Sequence, residues 1–149
     1  MKHLTLLTTF LGALLTSCAQ HDMPQGDIIA LEYTRSGTMA GYEYEAHVTR
    51  DSLGEHMLEA MPEDYADLRK RSLSRKEIDS LRTIVIEEKM YAYKEHYTPI
   101  MHVLDGYSWH LSIKFSDGKS IYSGGSNAVP RGDGIQRLRD YLAQLAQKE

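Results

Sequence analysis

The stretch 107–123, YSWHLSIKFSDGKSIYS, decides the fold. Trp109, Leu111, Ile113 and Phe115 alternate with Ser108, His110, Ser112 and Lys114. Period-two alternation marks a strand with one apolar and one wet face. Asp117-Gly118 then predicts a hairpin turn, with glycine supplying the positive φ, and Lys119–Ser123 returns as the partner strand.

Upstream, Ile28–Arg35 reads as a strand with Ile29, Leu31 and Tyr33 on one face. Tyr42–Arg50 alternates, with Tyr42, Tyr44, Ala46 and Val48 opposite Glu43, Glu45, His47 and Thr49. Asp51–Gly54 is a turn, and Glu55–Met61 a third strand. Residues 62–72 are charged and read as irregular. Ser74-Arg75-Lys76-Glu77 is a capping box opening a helix to about Lys89, on the spacing of Ile78, Leu81, Ile84 and Val85. Met90–Tyr97 is aromatic and reads as extended, and Thr98–Gly106 is a loop.

Downstream, Gly124–Gly132 reads as a loop needing positive φ. Asp133 caps a last helix striped by Ile135, Leu138, Leu142 and Leu145. The order ββ(β)αββα predicts an α+β domain: an antiparallel sheet of about four or five strands with two helices on one face.

The first seventeen residues have the parts of a secretory signal. Lys2 is basic, Leu4–Leu15 is a mostly apolar run, and Leu15-Thr16-Ser17-Cys18 follows. The run is about twelve residues, short of the roughly 20 that span a bilayer, which fits a signal region. Leu-Thr-Ser-Cys resembles the lipobox of bacterial lipoproteins. That resemblance covers residues 1–18 and implies a diacylglycerol thioether on Cys18, which becomes the mature N-terminus. Residue 19 is alanine, not the aspartate that retains enteric lipoproteins at the inner membrane, so the resemblance favours the outer membrane. The pattern Trp109-x-Leu-x-Ile-x-Phe115-x-Asp117-Gly118 is similar to that of many small secreted lipoproteins of unknown function.

These readings divide the chain into a signal peptide (1–17), a lipidated tether (18–27) and one α+β domain (28–149). Residues 19–27 are polar with Pro24 and Gly26, and span at most about 30 Å when extended. Cys18 is the sole cysteine, so no internal disulfide forms, and thiol redox or thiolate metal sites are excluded from the domain. The full chain carries 17 basic and 21 acidic side chains; without Lys2 the mature part stands at −5. Its basic cluster, Arg69-Lys70-Arg71 with Arg75 and Lys76, reads as solvating a loop and a helix start. Nucleic acid is not an expected partner, and no cofactor is implied. Ten tyrosines against two phenylalanines suit half-buried sites or a contact surface.

Candidate chemistry is sparse. His96, His102 and His110 cluster with Asp105 but lack a spacing that fixes ligands on one element, so no metal site is assigned. Ser126, His102 and Asp105 would compose a hydrolase triad, yet Gly-x-Ser-x-Gly is missing around Ser126. Glu43 and Glu45 share a strand face rather than flanking a cleft, and Arg131-Gly132-Asp133 reads as loop and helix cap. No catalytic residue is assigned. The expected contact surface is the wet sheet face with its flanking loop: Glu43, Glu45, His47, His110, Lys114, Ser126 and Asn127. The expected function is a lipid-anchored, non-enzymatic binding module of the cell envelope. Its partners are the membrane through the lipid and another envelope protein, a peptide or a glycan. An envelope-polymer hydrolase and an inhibitor or immunity-type protein are the alternatives. Cys18→Ser is expected to abolish incorporation of radioactive palmitate; continued labelling would refute lipidation at this thiol.

Overall fold

The computed structural model describes residues 22–37, 43–61, 68–101 and 106–148. The signal region, Cys18, Tyr42, His102 and Asp105 lie outside them, as does the Glu43 side chain. The described chain forms β1 (Ile28–Gly37), β2 (Glu43–Arg50), β3 (His56–Met61), β4 (Arg69–Leu73), α1 (Arg75–Glu87), β5 (His96–Tyr97), β6 (Tyr107–Phe115), β7 (Ser120–Ser126) and α2 (Gly134–Gln147). One sheet runs in the order β4-β3-β2-β1-β6-β7-β5. Its pairings are antiparallel except β5 with β7, which is parallel. The architecture is α+β, but the sheet is mixed and has seven strands rather than four or five.

Every strand of the hairpins turns the same face inward. Leu31 and Tyr33 of β1, Tyr44, Ala46 and Val48 of β2, Leu58 and Ala60 of β3, and Trp109, Leu111, Ile113 and Phe115 of β6 join one buried core. Ile78, Leu81 and Val85 of α1, and Leu138, Leu142 and Leu145 of α2, complete it from the helix side. Each fully buried Leu or Ile contributes about 1.5–3 kcal/mol. The opposite face carries no helix among the described residues.

At the start of β1 the residue that reaches the core is Ile28, not Ile29. The pairing with β6 shifts between Ile28 and Ala30, so Ile29 is the extra residue of a bulge. The buried His56 donates from Nε2 to the Ile28 carbonyl at 2.9 Å. That bond satisfies a buried acceptor, which would otherwise cost about 1–3 kcal/mol.

Two strands escape the alternation pattern. β4 occupies part of the stretch expected to be irregular, as an edge strand whose charges discourage further pairing. Its basic residues do more than solvate a loop: Arg71 donates to the Leu145 carbonyl at 3.0 Å and Arg69 to the Ala146 carbonyl at 3.5 Å. These carbonyls lie in the last turn of α2, where the Leu145 carbonyl also accepts from the Lys148 amide at 3.3 Å. β5 is only two residues long and follows a 3₁₀ turn, Met90–Ala92, within the aromatic stretch.

Other boundaries also move. The strand β7 runs through Gly124, Gly125 and Ser126, where a loop was expected. Neither Gly124 nor Gly125 has positive φ; a Cβ on Gly125 would stand 2.6 Å from the Ala128 carbonyl oxygen and 2.9 Å from Trp109 Nε1. Asp133 stands at the N-cap of α2 but makes no side-chain capping bond. Gly118 does take the positive φ of the hairpin turn, at +83°.

Part of the expected tether is docked. The Asp117 carboxylate accepts from the Gln25 and Gly26 amides at 2.7 and 3.0 Å. Arg82 donates to the carbonyls of Pro24, Gln25 and Gly26, and Arg75 pairs with Asp27. Those amide bonds hold the Asp117 carboxyl below its usual range, and the Arg75 bond does the same for Asp27.

The predicted capping box is present at α1. Burial alone would raise the Glu77 carboxyl, but the Ser74 amide and hydroxyl and the Arg71 guanidinium outweigh it and hold it at about 2. Lys148, after α2, reaches the same carboxylate at 3.4 Å. A depressed carboxyl stabilises the fold above its unfolded value and loses that contribution as pH falls through the folded one. The shift from 4.5 to 2 corresponds to about 3 kcal/mol. Glu77→Gln is therefore expected to be less stable by about that amount near neutrality, with the gap narrowing as pH falls from 4.5 toward 2. Denaturant titrations across that window check it; a gap independent of pH would show that the charge is not the source.

Candidate functional site

The helix-free face is a grid set by strand register. One row reads Lys70, Glu59, His47, Glu32, Ser112, Tyr122 across β4-β3-β2-β1-β6-β7. The next reads Met61, Glu45, Thr34, His110, Gly124, His96. A third places Glu43, Ser36, Ser108 and Ser126 side by side. Strand neighbours lie about 4.8 Å apart, so the rows run as strips across the sheet, the first polar throughout and the second interrupted at Met61 and Gly124.

The grid sorts the expected contact residues. Glu45 and His47 meet directly, with Oε1 2.5 Å from Nε2. His110 lies two strands from Glu45, with Thr34 between them. Ser126 faces Ser108, whose hydroxyl bonds that of Ser36 at 2.8 Å. Lys114 sits near the other end of β6, in register with Ala30 and Ser120. Asn127 is spent on the fold: its φ is +51°, its Oδ1 accepts from the Tyr107 amide at 2.9 Å, and its own amide donates to the Tyr107 carbonyl. Lys70 and Glu59, not expected, form an ion pair of 2.7 Å at the β3–β4 edge.

Chemically, this face offers carboxylates, imidazoles and hydroxyls on a flat surface. Glu45 and His47 are both partly exposed and lie along one strand, so they can bond a partner but enclose no reacting atom. Among the described residues, no group of three or more His, Cys, Asp or Glu is placed to hold a metal ion. Nor is any helix among them long and apolar enough to cross a membrane.

A second feature has no signal in the sequence pattern. On the helix side, where β1 and β6 meet the start of α2, a pocket of about 220 Å³ opens. Tyr33, Arg35, Tyr107 and Trp109 line it from the sheet, Val129 and Gly132 from the preceding loop, and Ile135, Gln136 and Arg139 from α2. The Arg35 guanidinium sits 4.6 Å from the centre of the Tyr107 ring, a cation–π contact. Trp109 donates from Nε1 to the Ala128 carbonyl at 2.7 Å. Behind Trp109 stand Tyr97, with ring centres 6.0 Å apart, and then Tyr93 at 6.4 Å from Tyr97. Burial and the nearby Glu88 push the Tyr93 phenol up to about 12. Part of the tyrosine excess therefore builds one wall. The pocket draws on residues from 33 to 139, a separation that period counting along the chain cannot bridge.

Comparison of the chain with family models and with curated proteins yields no match.

The wall depends on a glycine. A Cβ at position 125 would crowd the Ala128 carbonyl, Trp109 Nε1 and the Tyr97 carbonyl, all within 2.9 Å. Gly125→Ala is expected to cost about 1–3 kcal/mol of stability. It should also shift the fluorescence of Trp109, the only tryptophan. Thermal melts and emission spectra check both; an unchanged spectrum would show that Trp109 does not depend on this contact.

Proposed function

We propose that the protein is a lipid-anchored module of the cell envelope that binds a partner without catalysing a reaction. The lipobox-like sequence before Cys18 supports the anchor, and by the same resemblance the outer membrane is its site. The open face of the sheet is the binding surface, and another envelope protein, a peptide or a glycan is the partner.

The observation that carries the reading is the docking of residues 23–27. Asp117, Arg75, Arg82 and Lys119 hold that segment to the β6–β7 turn and to α1. Five residue steps separate Cys18 from Met23, which allows at most about 18 Å. The domain would therefore stand close over its membrane, with one end fixed and the polar rows facing sideways. Flat polar faces suit docking, whereas catalysis on a substrate suits a cleft.

The test places a photo-reactive side chain at Ser112, in the middle of the open face, or at the exposed Gln144 on α2, in cells making the lipidated chain. A discrete adduct from position 112 and none from 144 is expected. Equal adducts from both, or none from either, would overturn the assignment of the face.

A further inference from the structure

We propose that the turn joining β2 to β3 seats Leu53 in the surface of a phospholipid bilayer and so sets which way the domain stands. The inference rests on the lipid anchor proposed at Cys18 and adds a second contact, made by the protein itself, beside it.

The turn presents its leucine rigidly. Leu53 is 85% exposed and gives the core almost nothing. The Asp51 carboxylate accepts from the Leu53 and Glu55 amides at 2.8 and 2.9 Å. The Gly54 amide donates to the Asp51 carbonyl at 3.2 Å, and Gly54 takes a φ of +90°, which glycine adopts without strain. Arg50 donates from Nε to the Gly54 carbonyl at 3.4 Å. A turn tied in this way is not free to fold Leu53 back onto the sheet. With the amides of Leu53, Gly54 and Glu55 already bonded, the tip can enter a lipid interface without stranding a donor.

The turn also stands where the anchor would bring the lipid. Ala30 pairs with Thr49 and Ile28 with Phe115, so the end of β2, the start of β1 and the end of β6 lie level. The Asp27 carboxyl, held down first by its bond to Arg75, also feels the charge of Arg50. In the strand order, the β2–β3 and β6–β7 turns are three strand spacings apart, roughly 14 Å. Lys119, of the second turn, holds the Met23 carbonyl at 3.2 Å. Cys18 is five residue steps from Met23, at most about 18 Å, so its lipid would bring a bilayer within reach of both turns. The exposed Ile100 and Met101 are not part of this contact: they follow β5, which runs parallel to β7 and away from this end.

Charge at this end is mixed, with Arg50, Arg75 and Lys119 beside Asp51, Glu55 and Asp79. The contact therefore depends on the apolar tip rather than on anionic headgroups. The anchor retains the protein, and Leu53 orients it.

The lipidated chain is reconstituted in phosphatidylcholine vesicles, with and without phosphatidylglycerol. It carries the fluorophore NBD on Ser52→Cys or on Ser126→Cys, at the two ends of the sheet. A thioether at Cys18 leaves no other thiol, so the chain without an added cysteine should take no label and should float with the vesicles. Doxyl-labelled lipid is expected to quench emission from position 52 in both lipid mixtures and not from position 126. Leu53→Asp should abolish quenching at 52 without releasing the protein from the vesicles, and Leu53→Met should keep it. Melting curves confirm that both variants are folded. No quenching at 52, equal quenching at 52 and 126, dependence on phosphatidylglycerol, or undiminished quenching in Leu53→Asp would overturn the proposal and leave the anchor standing. Labelling of the chain without an added cysteine, or its failure to float, would remove the anchor and this contact with it.

Discussion

A sheet can bury its apolar side chains under two helices only if every strand keeps the same face toward them. With a side-chain period of two, a slip of one residue reverses a whole strand. Here β1 carries the constraint, because it is the central strand of the sheet, paired to β2 and to β6. Leu31 and Tyr33 face Val48 and Ala46 on one side and Ile113 and Leu111 on the other, all buried. The bulge at Ile29 lets the strand begin with Ile28 in the core as well, and His56 from β3 ties down the carbonyl there. What remains on the second face is determined by default: the polar grid is the complement of the core.

The helices are held to this sheet by charge at their ends as much as by apolar area. Arg71 leaves the edge strand to reach Glu77 at the start of α1 and the Leu145 carbonyl at the end of α2. One guanidinium thus ties three elements, while Ser74 and Glu77 satisfy the first amides of α1. Partial burial strengthens these contacts relative to surface pairs such as Lys70–Glu59, where water and salt screen the attraction.

The elements legible in the sequence were those whose side chains alone determine them. The alternation from Tyr107 to Phe115, the turn at Gly118, the capping box at Ser74 and the stripe of Leu138, Leu142 and Leu145 all report local geometry, and all are present. The missing parts depend on pairing rather than pattern. The β4 strand has one core residue, Leu73, and its arginines point to helix ends that are distant in sequence. The β5 strand is two residues recruited by the backbone of Gly124 and Gly125. Those glycines suggested a loop because absence of a side chain looks the same whether it serves φ or close approach. At the site, the polar face was readable strand by strand, but which rows formed awaited strand order. The pocket was not readable, since Arg35 and Arg139 meet only after β1 packs beneath α2.

The strand that organises the sheet also separates the docked segment from the pocket. Ile28 follows directly on the docked segment, and Arg35 lies seven residues further along β1. At about 3.3 Å per residue that is roughly 23 Å, enough to place the pocket at the other end of the sheet from the proposed anchor. A lipid on Cys18 would draw the Asp117 turn toward the membrane, and the pocket would then open away from it. That polarity would make sense of an otherwise wasteful feature: several charged groups, Arg75, Arg82, Asp117 and Lys119, are used to pin residues 23–27. A loose tether would let the domain tumble and present any side. Under the proposed anchor, a pinned one would fix which end faces the bilayer, and restricting orientation would raise the effective concentration of a site toward a partner held in the same envelope.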